Sequence, residues 1–144
     1  MFEKLFLLVK NNAGTAIIDN PLIPAKYHES VITEASSCII EVLKGQIETG
    51  KLKDMIKYFQ FPGIYNGNPL IGTTVNKFAN KLNNYYGLEP EDALETANKL
   101  IPQVMQQLID QSKNESDNEF SLRHLLEMLG GSNIKAVLNQ LAAA

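Results

Sequence analysis

The chain has 144 residues, of which 44% are hydrophobic and 20% are charged, and its formal net charge is −3. That length suffices for one domain with a hydrophobic core that needs neither disulfides nor a metal ion, and the composition excludes an intrinsically disordered protein. The isoelectric point near 5.4 also argues against non-specific nucleic-acid binding, because such binding needs clustered positive charge.

The cysteine content and the first residues bear on the compartment. Cys38 is the single cysteine, so no disulfide can form within the chain, as is typical of a reducing compartment. The apolar run Leu5–Val9 is shorter than the core of a signal peptide, and no stretch approaches the roughly twenty apolar residues of a membrane span. We therefore expect a cytoplasmic protein without a membrane span.

Apolar residues recur at helical spacing along almost the whole chain, and Gly, Pro, Ser and Asn residues separate the periodic stretches. The predicted helices cover about 2–12, 24–49, 52–59, 69–86 and 90–111, with two short helices that begin at Ser121 and Ser132. Residues 15–23 and the acidic segment 113–119 are predicted connectors. No window alternates apolar and polar residues over the length of a strand, so a sheet is not expected.

The tetrapeptide Asn-Pro-Leu-Ile occurs twice, at 20–23 and at 68–71, each time just before a helix-periodic stretch. An asparagine before proline is disfavoured in the α conformation, so each copy is expected to interrupt the helical chain. The recurrence predicts two helical units but identifies no chemistry.

The fold class that follows is all-α, a compact multihelical bundle of six to eight unequal helices. Pro102 lies inside the predicted 90–111 helix, where a proline costs about 3 kcal/mol, so we expect that long helix to be kinked or broken near it. Residues 1–144 are predicted to form a single helical domain, with 1–60 and 61–144 as two packed helical units.

Metal and cofactor sites are not expected. If Asp110, Ser112 and Asn114 are aligned with the first ligands of an EF-hand loop, Glu115 falls where the turn needs glycine and Ser121 where a bidentate glutamate is needed. His28 and His124 are the only histidines, and neither has a second histidine or a cysteine three or four residues away.

No catalytic residues are predicted either. Cys38 lies on the apolar stripe of the 24–49 helix, where a free cysteine packs as a small hydrophobic residue. The glycines at 63 and 67 are followed by no Lys-Ser/Thr pair, so they do not form a phosphate-binding loop. Glu91 and Asp92 are accounted for by their place in the first turn of a helix, where the helix dipole favours acids.

The aromatic segment 58–65 allows two interpretations. Its phenylalanines can fold into the core with Tyr58 and Tyr65 at the rim, or the segment can form an exposed patch that binds a partner. Lys77 and Lys81 add local positive charge, with no acid between residues 55 and 88, and could attract the acidic last third of another copy. The possible interaction surface comprises Tyr58, Phe61, Ile64, Tyr65, Lys77 and Lys81.

The order of features resembles the YidB-like family of small helical bacterial proteins, a domain of unknown function. The resemblance rests on apolar patterning, glycines and one proline in four segments: Phe2, Leu5, Leu8 and Val9; Tyr86-Gly87-Leu88; Leu100-Ile101-Pro102-Gln103-Val104; and Leu125-Leu126-Glu127-Met128-Leu129-Gly130-Gly131. It implies a multihelical fold and supplies no catalytic residues.

Three functions remain open from the sequence. The leading hypothesis is a non-enzymatic helical module that binds protein, including copies of itself. The alternative is a small-molecule or lipid binder with an apolar pocket between helices. The third is an enzyme whose site combines scattered acidic, histidine and tyrosine residues. An exposed flat patch around residues 58–65 would favour the protein-binding module. An apolar internal pocket would favour the small-molecule or lipid binder, and a buried polar cluster would favour the enzyme.

Overall fold

The computed structural model describes residues 2–60, 68–113 and 127–129, and the regular structure in these ranges is entirely helical. The elements are α1 (Phe2–Asn11), a short π-helix (Gly14–Ile18), a 3₁₀ turn (Ala25–Tyr27), α2 (His28–Glu48), α3 (Leu52–Gln60), α4 (Pro69–Tyr86) and α5 (Pro90–Ser112). The all-α multihelical bundle is confirmed. Of the segments predicted after residue 113, only the helical residues 127–129 belong to the described part of the chain.

The second Asn-Pro copy begins α4 directly. The Asn68 side-chain Oδ1 accepts a hydrogen bond from the Leu70 N–H at 2.9 Å, which caps the helix, and Pro69 occupies the first turn, where its missing N–H is no loss. The Gly72 N–H then closes the first turn onto the Asn68 carbonyl. The helix ends at Gly87, whose φ of +70° is favourable only for glycine among common residues.

The first copy makes the same cap but does not begin an α-helix. The Asn20 Oδ1 accepts from the Leu22 N–H at 2.9 Å, yet the chain makes a turn and α2 begins only at His28. The difference lies one residue beyond the repeat: Ile23 precedes Pro24, which disfavours the α conformation at Ile23, whereas Ile71 precedes Gly72. Pro24 therefore prevents an α-helix from starting directly after the first copy.

The α5 helix runs without a break from Pro90 to Ser112, through Pro102. Of the two expected outcomes, a kink or a break, the break is therefore wrong, and the kink stays a prediction. Ile101 and Val104, on either side of Pro102, are completely buried, so the core holds α5 on both sides of the proline. Proline still has no N–H to donate to the carbonyl four residues earlier, that of Asn98.

Helices α4 and α5 form the most extensive helix pair, α2 packs on α4, and α1 packs on α2. The π-helix packs on α5, so residues from both 2–60 and 68–113 contribute to one hydrophobic cluster. The largest side chains fully buried in it include Leu5, Ile17, Ile39, Phe59, Phe78, Leu100 and Met105. This core fixes α4 and α5 side by side.

Candidate functional site

A groove runs between α4 and α5 and is open to solvent along one side. Its volume is about 400 Å³. The described residues that line it are Asn68, Ile71, Gly72, Val75 and Asn76 on the α4 side, and Leu94, Asn98 and Pro102 on the α5 side. We call this the α4–α5 groove. None of these lining residues carries a formal charge, so the groove offers aliphatic surface and neutral amides.

The aliphatic part of the α4–α5 groove is both anchored and accessible. Ile71 and Val75 are buried at 8% and 6% exposure, while Leu94 leaves 42% of its surface exposed. A methyl group built on Gly72 would meet no atom within 4 Å, so there is room beside α4 for a ligand atom. The groove therefore combines buried aliphatic side chains with space that is open to solvent.

Asn68 lines this groove at the start of α4. Asn68 is only 4% exposed, and its Nδ2 is buried without a hydrogen-bond partner among the described residues. The orientation of the amide is fixed, because its Oδ1 already accepts from the Leu70 N–H and a flipped amide would lose that cap. A buried donor without a partner is unfavourable by about 1 to 3 kcal/mol, so Asn68 stands out.

The first Asn-Pro copy shows what the same amide does when it is satisfied. With its Oδ1 in the same capping role, the Asn20 Nδ2 donates to the Ala16 carbonyl at 3.0 Å and lies 3.1 Å from the Thr96 hydroxyl oxygen. Two oxygen acceptors surround this donor, one of them a backbone carbonyl. In both copies the asparagine Oδ1 accepts a hydrogen bond from the leucine N–H. The copies differ at the amide nitrogen, because the Asn20 Nδ2 has hydrogen-bond partners and the Asn68 Nδ2 has none among the described residues.

The surroundings of the two copies differ in charge as well. Asn20 lies at a smaller cleft of about 310 Å³, whose lining includes Asp19, Asp92 and the Glu95–Lys99 ion pair. The lining is Thr15, Asp19, Asn20, Pro21, Leu22, Asp92, Glu95, Thr96 and Lys99. Asn20 already forms its side-chain hydrogen bonds within the chain. We therefore place the candidate site at the uncharged α4–α5 groove.

Pro102 adds a second polar feature to the groove. Because proline lacks an N–H, the Asn98 backbone carbonyl does not receive the usual hydrogen bond of a helix interior. Asn98 and Pro102 both line the groove, as does Asn76 on the opposite helix. Amide side chains carry a donor and an acceptor, so this lining can match the N–H and C=O groups of a peptide.

Lys77 and Lys81, which sequence reasoning assigned to an interaction surface, are paired within the chain. Lys77 lies 3.0 Å from a carboxylate oxygen of Glu41, and Lys81 lies 3.2 Å from Glu34 and 3.3 Å from Glu41. These four residues, which we call the α2–α4 charge cluster, join two helices. They occupy the flank of α4 that faces α2, whereas the groove occupies the flank that faces α5.

The charge cluster shifts two pKa values in opposite directions. Partial burial opposes charge at Glu41, but hydrogen bonds from Lys77 and Lys81 outweigh it and lower the pKa of this carboxyl. Burial likewise opposes charge at Lys81, yet the neighbouring Cys38 sulfur and the two carboxylates raise the pKa of the ammonium group. Both shifts indicate that the cluster favours its charged form.

The aromatic part of the predicted surface is only partly described. Tyr58 is half-buried and packs against the core, next to the completely buried Phe59. Phe61, Ile64 and Tyr65 lie outside the described residues. The proposed role of this segment in binding therefore stays a prediction.

Two other residues considered for chemistry, Cys38 and His28, have structural surroundings that account for them. Cys38 is completely buried, as its place on the apolar stripe predicted, and burial raises the pKa of its thiol to about 11. The His28 Nε2 lies 3.0 Å from the Ile23 carbonyl oxygen and donates to it. No group of three or more potential metal ligands occurs among the described residues, which do not include His124.

Comparison with protein-family models, with curated proteins and with solved structures finds no match to this chain. Among the described helices, none combines the length and apolar character needed to cross a membrane. Asn68 and Pro102 stood out in the sequence, as an Asn-Pro step and as a proline inside a helix, but sequence reasoning assigned neither to a site. Their convergence on one surface follows only from the packing of α4 against α5.

Proposed function

We propose that this chain is a non-enzymatic helical module that binds protein, and that a short segment of its partner lies in the α4–α5 groove. The observation that carries the proposal is the uncharged lining, which combines aliphatic side chains with those of Asn68, Asn76 and Asn98. A peptide segment needs both parts, apolar contact for a side chain and hydrogen bonds for its backbone.

Charge supports the choice of a neutral partner segment. Lys77 and Lys81 are compensated by Glu34 and Glu41, so their charge offers little attraction to an acidic surface. The partner can be a second copy of this chain or another protein. Kinship with the YidB-like family stays a prediction, and it adds no residue to the site.

The alternative is a small-molecule or lipid ligand in the same groove. A volume of about 400 Å³ lies within the usual range of ligand pockets, which favours this alternative. An anionic lipid or fatty acid would, however, find no cation among the described lining residues. The open side of the groove also suits an extended segment better than a ligand that must be enclosed.

The proposal is tested with a peptide mimic and amide-resolved NMR. Adding N-acetyl-leucine N-methylamide to the ¹⁵N-labelled protein should shift the amide signals of Ile71, Val75 and Leu94. Octanoate, added in a parallel titration, represents the fatty-acid alternative. If only octanoate shifts the signals of the groove residues, lipid binding is favoured over protein binding. If neither probe shifts them, both proposed uses of the groove are contradicted.

A matched pair of variants locates the contact. Gly72→Leu places a side chain into the groove and should abolish the shifts, whereas Gly45→Leu makes the same change in α2. Light scattering at low and high salt then distinguishes the partners. An oligomer that Gly72→Leu dissociates and Gly45→Leu preserves identifies a second copy, and a monomer at both salt concentrations directs the search to another protein.

A further inference from the structure

We propose that residues 132–141 of this chain bind in its own α4–α5 groove and compete there with the partner segment. This inference rests on the proposed function, since it names the regulation of the same site. Residues 132–141 lie outside the described part of the chain, so the sequence alone supplies their chemistry.

The shape of the groove fits two turns of a helix. Its lining covers eight positions in each helix, from 68 to 76 in α4 and from 94 to 102 in α5, which at 1.5 Å per residue is about 12 Å. On α4 the lining residues recur at the spacing of one helix face, namely Asn68, Ile71, Gly72, Val75 and Asn76. Two such faces side by side form the kind of seam along which a third, amphipathic helix packs.

The segment 132–141 has the matching apolar stripe. Its aliphatic residues are spaced i, i+3, i+4 and i+7, as in helices that bind in apolar grooves: Ile134, Val137, Leu138 and Leu141. As a helix, a stripe from 134 to 141 extends about 10 Å, close to the length of the groove. The segment can therefore place aliphatic side chains along the whole groove.

The charge of the segment agrees with the uncharged lining. Lys135 is the only charged residue between 132 and 141, and it stands outside the apolar stripe. The stretch 114–126, by contrast, contains three acids and one arginine. The described lining contains no charged side chain that would compensate a charge brought into the groove, so the neutral stripe is the better occupant.

Leu129 favours the chain's own segment over a second copy. It is only 7% exposed and belongs to the same hydrophobic cluster as Ile71 and Val75. The segment thus begins three positions after a residue that is fixed in the core. A short tether of this kind gives an effective concentration of the order of millimolar, which a separate copy in dilute solution does not reach.

The direct test uses nuclear Overhauser effects (NOEs) between methyl groups of the full chain with ¹³C-labelled isoleucine, leucine and valine. Val137 and Leu138 should show NOEs to the methyl groups of Ile71 and Val75. An absence of these NOEs would overturn the inference, as would groove NOEs from Ile64, which would assign the groove to the segment between α3 and α4. NOEs found only between differently labelled copies would assign the groove to a second copy and overturn binding within one chain.

The second test measures competition. Leu138→Asp places a charge on the apolar stripe and should release the groove, so its affinity for N-acetyl-leucine N-methylamide should rise by about threefold to tenfold over wild type. Asn139→Asp adds the same charge one position outside the stripe and should bind as wild type does. Thermal unfolding first establishes that both variants are folded, and the NOE test on wild type needs neither of them.

The outcomes separate this inference from the proposed function. Equal affinities of wild type and Leu138→Asp would leave peptide binding standing and overturn the competition by residues 132–141. If the mimic binds to neither protein, the proposed function itself is overturned.

Discussion

Cys38 is the residue whose surroundings most limit its chemistry. Its side chain is completely buried, and burial raises the pKa of the thiol from 9.0 to about 11. Because the thiolate is the reactive form, a shift of this size leaves about a hundredfold less of it at any pH below 9. The residue therefore packs as a hydrophobic side chain in the folded protein.

Thiol labelling checks this interpretation. We expect Ellman's reagent at about pH 8 to react with native Cys38 at least roughly a hundredfold more slowly than with the chain unfolded in urea. The unfolded chain is the control, since it contains the same single thiol. Rapid labelling of one thiol per folded chain would contradict both the burial and the raised pKa.

At the scale of single residues, the sequence predicted where a residue lies in its helix better than which residues it contacts. The place of Cys38 on a buried stripe follows from local spacing, whereas the capping bonds of the two asparagines were not predicted. The contrast between Asn20 and Asn68 does not follow from local spacing either. Of the two acceptors at Asn20, the Ala16 carbonyl is local, but Thr96 lies 76 positions away in the chain and reaches Asn20 only when α5 packs beside the first copy.

The carboxyl end of α4 is determined by a local feature of the sequence, a glycine. Gly87 has a φ of +70°, and the N–H groups of Gly87 and Leu88 both donate to the Leu82 carbonyl. A side chain at this φ is strained, so Gly87→Ala should lower the free energy of unfolding by about 1 kcal/mol.

Gly45→Ala is the matched control for that change. Gly45 lies inside α2, and a Cβ built there meets no atom within 4 Å. Alanine is the better helix former, so this variant should gain about 0.5 to 1 kcal/mol. Urea unfolding followed by circular dichroism measures both variants. Changes of the same sign would show that φ at Gly87 is not what selects glycine.

Pro102 offers a test of the longest helix. Pro102→Ala restores an N–H for the Asn98 carbonyl and removes a residue unfavourable in helix interiors, so it should stabilise the protein by about 1 to 3 kcal/mol. The change in urea midpoint measures this gain. A loss of stability would show that contacts of the half-buried ring outweigh its cost in α5. Sequence reasoning located the proline in the helix, but whether the helix breaks depends on packing.

The arrangement of charge belongs to the whole molecule. Counted along the chain, Lys77 and Lys81 stand in a region without acids, and sequence reasoning took that region as positive. In the fold, Glu34 and Glu41 lie against them from α2, about forty positions earlier. The net charge of a sequence window therefore does not predict the local surface charge where two helices form ion pairs with each other. The helices themselves are predictable because their periodicity is local.

The α2–α4 charge cluster predicts how stability depends on pH. The pKa of Glu41 lies below its ordinary value of 4.5 in the folded protein because the bonds from Lys77 and Lys81 outweigh its burial. A carboxyl of lowered pKa stabilises the fold above its unfolded-state pKa, and this contribution is lost as the pH falls through its folded-state pKa. Lys81 has a raised pKa, so its contribution is present below 10.5 and is lost at higher pH.

Glu41→Gln should therefore be less stable than wild type near pH 7, by about 1 kcal/mol or less because the pair is partly exposed, and the difference should shrink as the pH falls below 4.5 and through the folded-state pKa. Thermal midpoints measured across that range check it. Glu48→Gln is the control on the same helix, since Glu48 lies 4.0 Å from Lys44 in an exposed pair and should show little pH-dependent difference. Added salt should shrink the loss in Glu41→Gln, because screening weakens the cluster in wild type. A stability difference that persists unchanged at low pH would mean that Glu41 acts by packing and not by charge.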